Sequence, residues 1–198
     1  MRRANRSAML VGAMAVFGGW YLTGAPPSRA ADHPPDQRAD VVSGAWQHHK
    51  ANFSYLGYTS HFTCDGMEER VRAILLHLGA RKDARVLASG CPGPIGAVSP
   101  SLWVEADFYT LAPVDAGGSD TVKASWTPLE VTPKRPNFMG DGDCELIQAM
   151  KDLITQNFSL RDIDYRTDCI PHELTMDGFA VKGQVLRTLP TKSTTVKG

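Results

Sequence analysis

Residues 64–91 read CDGMEERVRAILLHLGARKDARVLASGC, and residues 144–169 read CELIQAMKDLITQNFSLRDIDYRTDC. Each stretch opens and closes on a cysteine, and each changes its apolar period midway. In the first, Met67, Val71, Ile74, Leu75 and Leu78 fall at i, i+4, i+7, i+8 and i+11, one stripe of a helix with 3.6 residues per turn. Asp65 and Glu68 fit a capping box at its start, and Gly79 fits its stop. Arg85 to Ser89 then predicts a short strand ending at Cys91, where Pro92-Gly93-Pro94 breaks the chain. In the second, Leu146, Ile147, Met150, Leu153, Ile154 and Phe158 make the helical stripe. Ile163, Tyr165, Thr167 and Cys169 then alternate with Asp162, Asp164, Arg166 and Asp168, as a strand does.

Strand patterns flank both stretches. Ahead of the first, a strand is expected over Asn52 to Phe62, with Phe53 and Tyr55 in alternation. After it, Leu102 to Leu111 sets Leu102, Val104, Ala106 and Phe108 against Trp103, Glu105, Asp107 and Tyr109, the mark of a sheet with one buried face. Val122 to Val131 precedes the second stretch, its Pro128 pointing to an edge or bulge, and Phe179 to Leu186 supplies the last strand. The order strand, helix, strand, strand therefore occurs twice, over 51–112 and 121–189. Arg81-Lys82-Asp83 and Arg161-Asp162 open the strands alike, and Asp65 and Glu145 follow the first cysteines alike. This predicts an α+β fold: a tandem βαββ duplication forming a six-stranded, mainly antiparallel sheet with two helices on one face. The alternative is a chance likeness between two amphipathic segments.

The chain opens with Arg2, Arg3 and Arg6, an uncharged apolar run from Ala8 to Leu22, and Gly24, Pro26 and Pro27. That is the layout of a secretory signal, with Ser28-Arg29-Ala30 placing cleavage after Ala30. An uncleaved anchor is the competing reading, but the run falls short of the roughly 20 apolar residues that span a bilayer core. Residues 31–50 are expected to form a flexible N-terminal segment and 190–198 a disordered tail. Removing 1–30 leaves 17 basic against 21 acidic side chains, a net charge of −4. Such a chain has no electrostatic footprint for nucleic acid, and no later apolar run would hold it in a membrane. The expected location is the periplasm or the medium.

An oxidising compartment turns an even cysteine count into a disulfide framework, and four cysteines allow three pairings. Geometry selects one. Helix from Cys64 to Gly79 covers about 22 Å, and strand from Ala84 to Cys91 covers about 23 Å. A strand returning antiparallel to its helix therefore brings Cys91 back beside Cys64. The same lengths bring Cys169 back beside Cys144. The predicted bonds, Cys64 to Cys91 and Cys144 to Cys169, each stabilise by roughly 3 kcal/mol in the chain-entropy model. There is no Cys-x-x-Cys to support redox or zinc chemistry instead.

Motifs of catalysis are missing from the mature sequence. It holds no Gly-x-Ser-x-Gly, Ser-x-x-Lys, Walker loop or dinucleotide fingerprint, and His172-Glu173 lacks the second histidine of a zinc-protease helix. Candidate metal ligands reduce to His61, His172, Asp141 and Asp143. The acids of Asp141-Gly142-Asp143-Cys144-Glu145 also suit a helix start, where carboxylates meet unpaired N–H groups and the positive end of the dipole. Adjacent His48 and His49 point to opposite sides of an extended chain, and His77, outside the apolar stripe, is expected to be solvated. Trp103, Tyr109, Trp126 and Phe108 are candidates for a ligand groove or for cross-strand packing. No cofactor is expected.

Tyr58 to Glu68, Gly140 to Leu146 and Asp164 to Pro171 resemble a group of uncharacterised exported proteins of Gram-negative bacteria. The resemblance covers most of the mature chain. It implies export and the four-cysteine pattern, and carries no activity and no site residues. The leading expectation is a non-enzymatic domain that binds a small ligand or an envelope protein. The alternatives are a small metal-dependent or acid-base hydrolase built from His61, His172 and the Asp141 to Glu145 cluster, and a subunit of an envelope assembly.

Overall fold

The computed structural model describes residues 41–93, 96–115 and 121–189; the signal sequence, its cleavage point, the start of the expected flexible segment and the tail lie outside them. Six strands and three helices follow in the order β1 (Val41–Leu56), α1 (Cys64–His77), β2 (Arg85–Ser89), β3 (Ser101–Pro113), β4 (Val122–Val131), α2 (Cys144–Ala149), α3 (Lys151–Asn157), β5 (Leu160–Thr167) and β6 (Phe179–Thr188). The strands form one sheet in the order β2-β3-β1-β4-β6-β5, every neighbouring pair antiparallel. Read from either edge, the sheet presents the second, third and first strand of a half. The two first strands meet at the centre through a short ladder, Val41–Gly44 against Val122–Ser125.

The first strand begins and ends earlier than expected. Residues 41–50, expected to be flexible, are instead the larger part of β1, which pairs with β3 from Gly44 to Leu56. Its apolar alternation is weak because His48, Lys50 and Asn52 occupy one face, while His49 and Ala51 share the other with Phe53 and Tyr55. Residues 57–63 are loop, joined to the segment that leads into β3 by an isolated bridge from Phe62 to Ser99. The turn at Gly57 is compulsory for glycine: a Cβ there would lie 2.0 Å from the Ser60 carbonyl oxygen and 2.3 Å from the Tyr55 hydroxyl. Pro128 sits beyond the β1 ladder, where β4 has only β6 beside it.

Helix α1 is capped by Thr63, whose Oγ1 accepts the Gly66 N–H at 3.0 Å, not by the expected box of Asp65 and Glu68. Glu68 is drawn away because its Oε1 accepts the Ala88 N–H at 2.9 Å, tying α1 to β2. Gly79, at φ +98°, ends the helix as expected, and Ala80 N–H closes back on the Leu75 carbonyl. The second helical stripe is divided at Met150 into α2 and α3, although Met150 and Ile154 keep their i−4 bonds to Leu146 and Met150. A register shift between Arg161 and Asp164 turns Ile163 outward, against the alternation expected for it.

Both helical segments pack on the same side of the sheet. Met67, Val71, Ile74 and Leu75 from one half, and Leu146, Ile147, Leu153 and Ile154 from the other, share one core with Phe53, Tyr55, Val104, Phe108, Leu129 and Val181. Burying such a side chain contributes roughly 1.5–3 kcal/mol. On the opposite face a smaller apolar cluster forms, with Leu111, Ala124 and Leu186 beneath Val42, Trp46, Val122 and Trp126. The sheet edges are a five-residue strand and an irregular one, both poor templates for pairing with another chain. The two cross-links close within the halves, Cys64 to Cys91 with Cα atoms 6.0 Å apart and Cys144 to Cys169 at 5.7 Å.

Candidate functional site

Two places gather chemistry-bearing side chains. The first is the loop end of the molecule, where the acids singled out from sequence begin the second helix through a single 3-10 turn, Asp141–Asp143. Each is engaged separately. Asp141 Oδ1 accepts the Asp177 N–H at 3.0 Å. Asp143 Oδ2 accepts the Gly140 N–H at 2.8 Å and pairs with Arg70 of α1 at 3.2 Å. Glu145 receives the Thr59 N–H and hydroxyl at 3.1 and 3.3 Å. Asp143 and Glu145 thus act as struts between the halves, while Asp141 braces a loop of its own half. Burial pushes the Asp143 carboxyl above the ordinary carboxylate range, against the opposing pull of the Arg70 guanidinium and the Gly140 N–H.

His61 is exposed beside a shallow cleft that it shares with Arg70, Phe138 and Asp143. His172 stands on another loop, with its ring edge against Tyr58. Among the described residues no three His, Cys, Asp or Glu side chains gather as a metal-binding group. His77 departs from its expected solvated position: it is half-buried, Nε2 lies 3.2 Å from the Glu130 carbonyl oxygen, and the ring meets Phe138 edge-on. That burial lowers its proton affinity, helped by the charge of Arg187, while the Glu130 carbonyl opposes the shift.

The second place is the sheet face that carries no helix among the described residues. Cross-strand register sets Trp46, His48, Lys50, Asn52 and Ser54 of β1 beside Leu111, Tyr109, Asp107, Glu105 and Trp103 of β3, and Arg85 and Leu87 beside Asp107 and Glu105. His48 stacks on Tyr109 at 4.7 Å between centroids and reaches Asp107 with Nε2 at 2.7 Å. That bond, with Lys50 nearby, holds the Asp107 carboxyl below the usual carboxylate range. A groove of about 450 Å³ runs between Lys50, Asn52, Arg85, Leu87, Glu105 and Asp107. Of the four aromatics weighed from sequence, Phe108 belongs to the core while Trp103, Tyr109 and Trp126 serve this face.

Two guanidiniums lie on aromatic rings of this face. Arg81 is 3.6 Å above the Tyr109 centroid and 5.8 Å from that of Trp46, its fork held by both oxygens of Asp83. Arg161 is 3.9 Å above Trp126. Trp46 and Trp126 are 80 positions apart in the chain, as are Arg81 and Arg161, and Cys64 and Cys144. The two stacks therefore occupy matching places on either side of the β1–β4 seam. Sequence reading passed over them, noting the arginines only as strand openings; the shared spacing was the signal that could have found them. Flat rings, fixed guanidiniums and exposed carboxylates equip this face for hydrogen bonding and stacking with a bound molecule. They do not make a water-excluded chamber for chemistry. No protein-family model, curated protein or solved structure matches the chain.

Proposed function

We propose that this chain is an exported, non-enzymatic binding domain, and that it receives a small polar ligand or an envelope protein on the helix-free face of its sheet. One observation carries the reading: the groove lined by charged side chains beside the Trp46, Tyr109 and Arg81 stack, on a face where cross-strand pairs rather than a helix organise the side chains. The pair His48 and Asp107 is open to solvent on both sides, which suits recognition better than proton transfer. Export rests on the arginine-led apolar opening and on two closed disulfides, bonds kept in oxidising compartments. Among the described residues no helix is long and apolar enough to cross a membrane. Duplication of a βαββ unit accounts for the mirrored strand order and the 80-residue spacing.

Photo-crosslinking in cells tests the binding face. A photoreactive residue at Arg85, Leu87 or Trp103 is expected to capture a partner or ligand, while one at Glu69 or Lys151 on the helix side is not. Equal adducts from both sides, or adducts from the helix side alone, would sink the proposal. Mass measurement of the mature protein tests the export route, with Ala31 expected as the first residue. The hydrolase alternative draws on the cleft where His61 neighbours Arg70 and Asp143. It requires an activity that His61→Ala abolishes with the fold intact.

A further inference from the structure

We infer that Cys64–Cys91 is a thiol–disulfide exchange site, open to a dithiol partner, while Cys144–Cys169 is a structural bond. The two cross-links tie equivalent points of the two halves, yet their surroundings differ. Cys64 and Cys91 are both partly exposed and line a cleft of about 210 Å³ with Thr63, Asp65, Gly93 and Ala97. A small thiolate entering that cleft meets both cysteines. Cys144 is only 5 % exposed, with its Sγ 3.2 Å from the Gly178 carbonyl oxygen. Cys169 does reach a surface cleft, so attack there is sterically open. Such an attack would expel Cys144 as a buried thiolate against a carbonyl oxygen. Burial and that oxygen disfavour the departing anion and slow exchange.

The geometry also sets the direction at the open bond. A donor thiolate attacks Cys91 Sγ, the S–S bond breaks, and its electron pair passes to Cys64 Sγ, which takes up a proton. Cys64 leaves well because it begins the 14-residue α1, at the positive end of the helix dipole. The donor's second thiol then attacks the mixed disulfide and releases Cys91 as a thiol. The protein gains two electrons and the donor dithiol becomes a disulfide. Little of the fold depends on this bond: Thr63 still caps α1, Ser99 still pairs with Phe62, and Ser99 Oγ still bonds the Gly90 and Ser101 carbonyls. Asp65 stands in the cleft, so a cationic thiol should react faster than an anionic one.

Stepwise dithiothreitol treatment of the intact native protein, with alkylation and peptide mass mapping, tests the inference. Cys64 and Cys91 are expected to be labelled at least tenfold faster than Cys144 and Cys169, while the far-ultraviolet dichroism stays native. Joint opening of both bonds with loss of structure, or earlier labelling of Cys144 and Cys169, would overturn it. A monothiol probe reports the direction: cysteamine should be found attached to Cys91. Attachment at Cys64 would refute the assigned leaving group, and faster reaction of mercaptoethanesulfonate than of cysteamine would refute the role of Asp65.

Discussion

The first half of the molecule, residues 41–113, and the second, residues 122–188, run through the same strand order and close the same kind of cross-link, but they hold their helices by different means. Helix α1 is unbroken and locally capped, with Thr63 accepting the N–H of a residue in its own first turn. The helical stretch of the second half has no cap side chain accepting an N–H of its own first turn, only the Asp143 carboxylate taking the Gly140 N–H ahead of it; it starts through a 3-10 turn and divides at Met150. Its opening is set instead by distant partners, since Asp141, Asp143 and Glu145 bind Asp177, Arg70 and Thr59. Local rules place the first helix, and tertiary bonds place the second. The exposure of the two disulfides follows the same division, because the loop from residue 170 to 178 that engages Asp141 also covers Cys144.

The largest effect should come from the residues that both halves give to the common core. Ile74 and Ile154 are 80 positions apart and both about 1 % exposed. Ile74→Ala and Ile154→Ala should each lower stability by about 2–5 kcal/mol, each as a single urea transition. Two separable transitions would break the comparison by making the halves independent. Arg70→Met comes next, leaving the 6 % exposed side chain of Asp143 without its cation. A loss of about 3 kcal/mol at neutral pH is expected, shrinking as pH falls into the raised range where the buried Asp143 carboxyl takes up a proton. An unchanged midpoint would mean that α1 does not anchor the second helix. Thr63→Ala should remove about 1 kcal/mol, and amide exchange should fray α1 alone.

The smallest effect is a pH dependence particular to the first half. His77 has its counterpart in Asn157, 80 positions on, which does not titrate. Burial holds the folded proton affinity of His77 below the unfolded value of 6.5, and His49 is shifted the same way, mainly by burial. Below that pH the unfolded chain binds protons that the folded chain refuses. Stability from neutral His77 is thus complete above pH 6.5 and declines as pH falls towards the folded value. His77→Asn should flatten part of that decline in melting temperatures measured from pH 7.5 to 5. A steeper decline in the variant would refute the assignment.

The cysteine pairing, five of the six strands and both helical stripes were legible in the sequence because each rests on local arithmetic: an apolar period, a glycine stop, or a helix and a strand of equal length. The early start of β1 was not, because a strand with His48, Lys50 and Asn52 on its open face and Ala51 on the other shows little alternation. Nor was the capping of α1 by Thr63, since Glu68 is claimed by the Ala88 N–H of a strand 20 residues away. The mirrored order β2-β3-β1-β4-β6-β5 and the pairing of Arg81 with Tyr109 and of Arg161 with Trp126 belong to the tertiary structure alone. Periodicity says which side of a strand is buried, but which strands become neighbours, and which rings lie under which cations, is settled only when both halves bury their apolar faces in one core.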